Sequence, residues 1–194
     1  MSVTMTTFKQ CKAVLFVFAL LTATHTLHAQ LEVTHLILKG QSATGFGAFF
    51  HGGFPVHKGD EISAEIGLDY FAPGQSHLVF VPLLVGYRHT FNRSGTGFYV
   101  EPFGGYTFGS TDIQKTDANG NPLFNADGSE IDEKFNGATA GLGVGYILNN
   151  PRCPLNFGLR FEHVFVSGTA PSLLAFRVSW SVLTGRRLQQ QQQH

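Results

Sequence analysis

A chain of 194 residues with 13 basic and 13 acidic side chains offers no net charge to nucleic acid or to an anionic surface. Charged residues make up only 13% of it, against about 25% in an ordinary soluble domain, while 23 Gly and 19 Phe stand out. Of its two cysteines, only Cys153 lies beyond the N-terminal segment, which excludes a disulfide-stapled secreted scaffold.

Residues 1–29 read as a secretory signal peptide. Lys9 and Lys12 supply the positive start, Ala13 to Leu21 the apolar run, and Leu27-His28-Ala29 a cleavage site before Gln30. The apolar run falls short of the roughly 20 residues a spanning helix needs. Cys11 precedes that run and is misplaced for a lipid anchor. Removing the segment leaves about 165 residues, one domain by length, with 11 basic and 13 acidic side chains, a net charge of −2.

From there the chain alternates. The pattern and its turn signals predict eight strands at 33–40, 44–55, 61–71, 77–91, 97–109, 135–148, 155–167 and 172–184. In the third, Ile62, Ala64, Ile66, Leu68 and Tyr70 oppose Glu61, Ser63, Glu65, Gly67 and Asp69. In the seventh, Leu155, Phe157, Leu159, Phe161, His163 and Phe165 oppose Asn156, Gly158, Arg160, Glu162, Val164 and Val166. The eighth sets Leu174, Phe176, Val178, Trp180 and Val182 against Leu173, Ala175, Arg177, Ser179 and Ser181. A period of two gives each set one face of a strand. The first strand alternates least cleanly, and residues 40–45 are also compatible with a bend in one longer strand. Strands of this kind with no helices between them predict an antiparallel all-β barrel.

Alternation alone leaves open which face points inward. A soluble ligand-binding barrel buries the apolar face, and a transmembrane barrel exposes it to lipid. Three features favour the transmembrane arrangement. The less apolar face is rich in glycine (Gly67, Gly141, Gly143, Gly145, Gly158), which suits a crowded small lumen. Its charges are of both signs and include no Lys on the well-alternating strands: Glu61, Glu65, Asp69, Glu101 and Glu162 against Arg88, Arg160 and Arg177. Aromatics gather near strand ends (Tyr70, Phe91, Phe98, Phe108, Tyr146, Phe165, Trp180), as in the interfacial girdles of membrane barrels. Counting connections back from the C-terminus puts the one long connection, 109–134, on the extracellular side and both termini in the periplasm.

Val81-Pro82-Leu83-Leu84-Val85-Gly86-Tyr87-Arg88 followed by Gly97-Phe98-Tyr99-Val100-Glu101-Pro102 resembles the paired central strands of small outer-membrane β-barrel proteins common in Bacteroidetes-like bacteria. Gly141-Leu142-Gly143-Val144-Gly145-Tyr146 and Gly158-Leu159-Arg160-Phe161-Glu162-His163 continue the match, which extends loosely to the OmpA/OmpX-like eight-stranded barrels. The resemblance implies a barrel over 30–185, an outer-membrane location and no particular activity. The chain departs from the commonest ending of such barrels. After Trp180 to Leu183 come Thr184-Gly185-Arg186-Arg187 and glutamines, so that 186–194 is a polar low-complexity tail.

Within that frame the eight interior charges, Glu61, Glu65, Asp69, Arg88, Glu101, Arg160, Glu162 and Arg177, are expected to pair and plug the lumen; a narrow pore for ions or small solutes is the alternative. The long loop carries Asp112, Asp117, Asp127, Glu130, Asp132 and Glu133 against Lys115 and Lys134 and is the expected contact for a surface partner. Asp117 to Asn121 resembles a calcium loop only in part, because Pro122 stands where that motif needs Gly. Asn119-Gly120 and Asp127-Gly128 read as turns of a hairpin extending past the membrane. Lipid A deacylases of this size place a Ser two residues after a strand His; here His163 is followed by Val164 and Phe165, so no catalytic residue is assigned. No cofactor, metal or nucleic acid is expected, the bound phase is outer-membrane lipid, and the barrel is read as a monomer. The roles weighed are thus a structural or surface-interaction barrel, a narrow pore, a lipid A-modifying enzyme and a soluble periplasmic ligand binder.

Overall fold

The computed structural model describes residues 26–38, 41–72, 77–92, 95–114, 121, 123–125, 127, 132–148, 155–166 and 170–181. Its strands are β1 (Thr26–Leu38), β2 (Gln41–His57), β3 (Asp60–Phe71), β4 (Leu78–Thr90), β5 (Gly97–Gln114), β6 (Asp132–Lys134), β7 (Gly137–Ile147), β8 (Leu155–Phe165) and β9 (Ser172–Ser181). Every pairing is antiparallel. Neighbours run β4-β3-β2-β1-β9-β8-β7-β5, and β4 pairs with β5 to close the ring. Short β6 pairs only with the far end of β5 and prolongs that wall beyond the ring. Eight strands therefore form a closed up-and-down barrel.

The registers fix its shape. Walking from Gln30 through β9, β8 and β7 reaches Gly97 of β5; walking the other way through β2, β3 and β4 reaches Thr107 of the same strand. That offset is the barrel's shear. Ten residues of rise against eight strand spacings tilt the strands by about 40°.

The alternation resolves as outward apolar and inward polar. Leu31, Phe46, Phe50, Leu68, Leu142, Leu159, Phe161 and Phe176 are exposed on the outer wall, while Glu32, Glu65, Asp69, Arg88, Glu101, Arg160, Glu162 and Arg177 are buried in the lumen. One end carries the turn at 58–59 and the connections 91–96 and 148–154. The other carries the long connection between β5 and β6. Aromatics sit outside near both ends: Phe91, Phe98, Tyr146 and Trp180 at the first, Tyr70, Phe108 and Phe165 at the second.

Two boundaries differ from the sequence reading by more than three residues. The first strand begins at Thr26, not near 33, with Thr26 to Ala29 paired against Gly53 to Phe50 of β2. Pairing therefore reaches back across the expected cleavage position, because Glu32 and Gln30 continue the inward series that Thr34 and Leu36 share. The hairpin between 97 and 135 extends through Gln114, paired with Asp132, as expected of an arm rising past the ring. Asn119-Gly120, Gly128, Cys153, Ser167 and the tail 186–194 lie outside the described residues.

Candidate functional site

The lumen holds the chain's only dense polar constellation among the described residues, and it is built in layers. Near the end that carries the short turns, β4 places Arg88 beside Glu101 of β5. The guanidinium donates from Nη2 at 2.8 Å and from Nε at 3.1 Å to Glu101 Oε2. Ser63 Oγ donates to Glu101 Oε1 at 2.5 Å. Glu61 lies 3.7 Å from Arg88 Nη1 and 3.4 Å from His51 Nε2. The Arg88 guanidinium also stacks 4.6 Å over the Tyr99 ring.

The middle layer turns on Glu65, whose carboxylate bridges two arginines. Arg177 donates to it at 2.9 and 3.3 Å, and Arg160 Nη1 donates to Oε1. Arg177 also grips Glu32 at 2.7 and 3.2 Å, and Arg160 holds Glu162. Aromatic rings wall this layer: Phe103 and Phe49 lie 4.2 and 5.6 Å from the Arg160 guanidinium, which buries the cation between π faces. Room for the rings comes from glycine. A Cβ at Gly67 would overlap the Phe49 ring, and one at Gly141 would overlap Phe103.

Above the arginines, hydroxyls complete the acceptors' partners. Thr34 donates to Glu32 at 2.7 Å and contacts Asp69 at 3.4 Å; Thr139 donates to Thr107, which donates to Glu162 at 3.3 Å. All eight residues selected from sequence thus face one interior, and the structure adds Glu32 and His51. Six carboxylates (Glu32, Glu61, Glu65, Asp69, Glu101, Glu162) therefore meet three guanidiniums and one imidazole. Burial of this many charges is tolerable only with such mutual pairing.

The lumen's mouth at the long-connection end is apolar instead. Leu36, Phe71, Leu78, Phe80, Phe135, Val164 and Leu173 pack into one buried cluster. Phe80 makes edge-to-face contacts with Phe71 (5.9 Å between centroids) and Phe135 (6.1 Å). Below that cap, a cavity of about 20 Å³ beside Ser63, Glu65, Tyr99, Glu101 and Arg160 has room for little more than one water.

Of the acidic loop, Asp112 falls in β5, Asp132 and Glu133 in β6, and Asp127 is exposed in a turn. Asp117 and Glu130 lie outside the described residues. Among the described residues no three His, Cys, Asp or Glu side chains are arranged so that they could hold a metal ion. His163 faces outward, its Nδ1 2.9 Å from Ser172 Oγ on the next strand.

No protein-family model and no curated protein matches this chain. Solved structures do. It is similar to the crystal structure of Neisserial surface protein A at 12% identity and a TM-score of 0.52, over 79% of this chain and 94% of that one. It is also similar to Ail, the attachment invasion locus protein of Yersinia pestis, at 7% identity and a TM-score of 0.55, over 80% and 96%. Ail in complex with the heparin analogue sucrose octasulfate gives 8% and 0.54. At these identities the likeness is one of fold, that of the small eight-stranded outer-membrane barrels.

Proposed function

We propose that this protein is an integral outer-membrane barrel with a structural or surface-interaction role, its lumen closed to solutes. The observation that carries the reading is double closure: an apolar cap of Phe71, Phe80 and Phe135 seated over a layer of paired charges. A pore lined by charges needs water along its length, and the rings of Phe71, Phe80 and Phe135 offer that path no hydrogen-bonding partner. Reconstitution in planar bilayers tests this. The expected record is a flat baseline with no unitary steps; discrete conductance steps reproduced by independent preparations would make it a narrow pore.

The outward apolar wall supports the membrane location, and the even number of strands supports a reading with both termini in the periplasm and the β5–β6 arm outside. Residues 1–29 serve as the export signal in this reading. N-terminal sequencing of the protein extracted from membranes should begin at Gln30, and a chain retaining residues before Thr26 would argue against cleavage there. On the outer surface the arm's carboxylates outnumber its lysines six to two over 109–134. A surface partner of that arm should be cationic, unlike the sulfated ligand named for Ail.

A second reading rests on the His163–Ser172 contact, which puts a hydroxyl within reach of an imidazole on the lipid-facing wall. Among the described residues no carboxylate bonds His163 to orient it, as hydrolytic triads require. The expected result is that the purified barrel releases no fatty acid from lipid A; release that Ser172→Ala abolishes would establish an enzyme.

A further inference from the structure

The outer rim at the long-connection end is not uniform. On β3 and β5 it carries Tyr70 and Phe108, and at the end of β8 Phe165, whose ring packs edge-on against that of His163 at 4.8 Å between centroids. Across the consecutive strands β8, β9, β1 and β2 the same height carries His163, Ser172, His35 and Thr44 instead. Two cross-strand pairs form there: His163 Nδ1 to Ser172 Oγ at 2.9 Å, and His35 Nδ1 to Thr44 Oγ1 at 3.2 Å. Ser42, next outward on β2, is exposed as well. Polar side chains on a wall that is otherwise apolar are costly within hydrocarbon and belong where headgroups begin.

We propose that this half of the rim docks the phosphorylated headgroup of a lipid in the leaflet at the long-connection end, a site resting on the membrane reading above. Charge complementarity selects that occupant. No carboxylate faces outward on the described parts of these four strands, since Glu32 and Glu162 point into the lumen. The site therefore offers imidazoles and hydroxyls with nothing to repel an anion. Each imidazole has one nitrogen engaged by a hydroxyl. When Nδ1 accepts from that hydroxyl, Nε2 carries the proton and donates outward to a phosphate oxygen. The register sets His163 opposite Ser172 and His35 opposite Leu174. The two histidines thus flank β9 with a separation of about 10–12 Å, a span that suits a headgroup bearing two phosphates.

Native mass spectrometry of the detergent-refolded barrel with added diphosphorylated lipid A tests the site, and the boiled-versus-unboiled gel shift checks folding of every sample. Folded wild type should retain the phosphorylated lipid and lose dephosphorylated lipid A. The His35→Leu/His163→Leu double variant should retain it about tenfold less well, the milder Thr44→Val/Ser172→Ala pair should weaken it in the same direction, and Tyr70→Phe should leave it unchanged. Equal retention of dephosphorylated lipid, or undiminished retention by the folded double variant, would overturn the proposal. So would displacement of the lipid by millimolar inorganic phosphate, which would mark a free-anion site. Failure of the membrane reading would show separately, as a folded barrel that does not enter phosphatidylcholine vesicles.

Discussion

Replacing Arg177 by Met is the sharpest test of whether the lumen is a dry, paired interior. The side chain is 6% exposed and donates four hydrogen bonds, two to Glu32 and two to Glu65. Summing four charge-assisted bonds at about 1.5–3 kcal/mol each would overshoot, because that value assumes every acceptor is left bare. Glu65 keeps Arg160, and Glu32 keeps the Thr34 hydroxyl at 2.7 Å. What remains is one newly stranded carboxylate, Glu32, beside Asp69, which meets the Thr34 hydroxyl and no cation among the described residues, with six carboxylates then facing two guanidiniums. Breaking a buried pair in this way costs about 3–5 kcal/mol. Urea unfolding of the barrel in vesicles, followed by fluorescence and extrapolated to water, reads that loss directly. Removing the stranded charge as well, in Arg177→Met/Glu32→Leu, should recover part of it. A loss below about 1 kcal/mol, with no recovery in the double variant, would mean that water already solvates these charges, and the closed-lumen account would fall.

Two further outcomes follow from packing and from the outer wall. Gly67→Ala forces a methyl into the Phe49 ring, which is itself 3% exposed, and should cost about 1–3 kcal/mol in the same assay; adding Phe49→Leu should relieve part of that cost, and additive losses would disprove the contact. Leu159 lies midway along β8 on the outer face, 52% exposed. Leu159→Arg should destabilise the vesicle-embedded barrel by about 2–4 kcal/mol, against about 0–1 kcal/mol for Ser110→Arg near the rim. Equal costs at the two positions would mean that no hydrocarbon slab surrounds the wall.

How much of this was readable beforehand depended on contrast between the two faces. In β8 and β9 every outward residue is large and every inward one small or charged at mid-barrel, so Arg160, Glu162 and Arg177 stood out from the sequence. The first strand lacks that contrast because it crosses both special layers. Its inward Leu36 joins the apolar cap, while its outward His35 belongs to the polar rim, so each inverts the rule that apolar means outward. Glu32, three residues before His35, was missed with it. His51 was hidden on a strand whose inward positions Gly47 and Gly53 give no polar signal. The cap itself could not be seen from alternation, since Phe71 and Phe80 meet through the register of β3 on β4, and Phe135, which precedes β7, reaches Phe80 across β5. The charge pairing had a sequence signature in mixed-sign residues on one face; the choice of partners did not, because Arg160 and Glu65 are 95 residues apart.

The chain contains a single tryptophan, and the fold puts Trp180 on the outer wall near the short-turn end, 36% exposed. Its fluorescence in vesicles of lipids brominated at graded depths therefore reports on the native protein without substitution. An outward apolar wall with an interfacial girdle predicts strong quenching by bromine near the glycerol backbone and weaker quenching by bromine at the chain ends. Indifference to brominated lipid, with full quenching by aqueous acrylamide, would place this wall in water and contradict the membrane barrel.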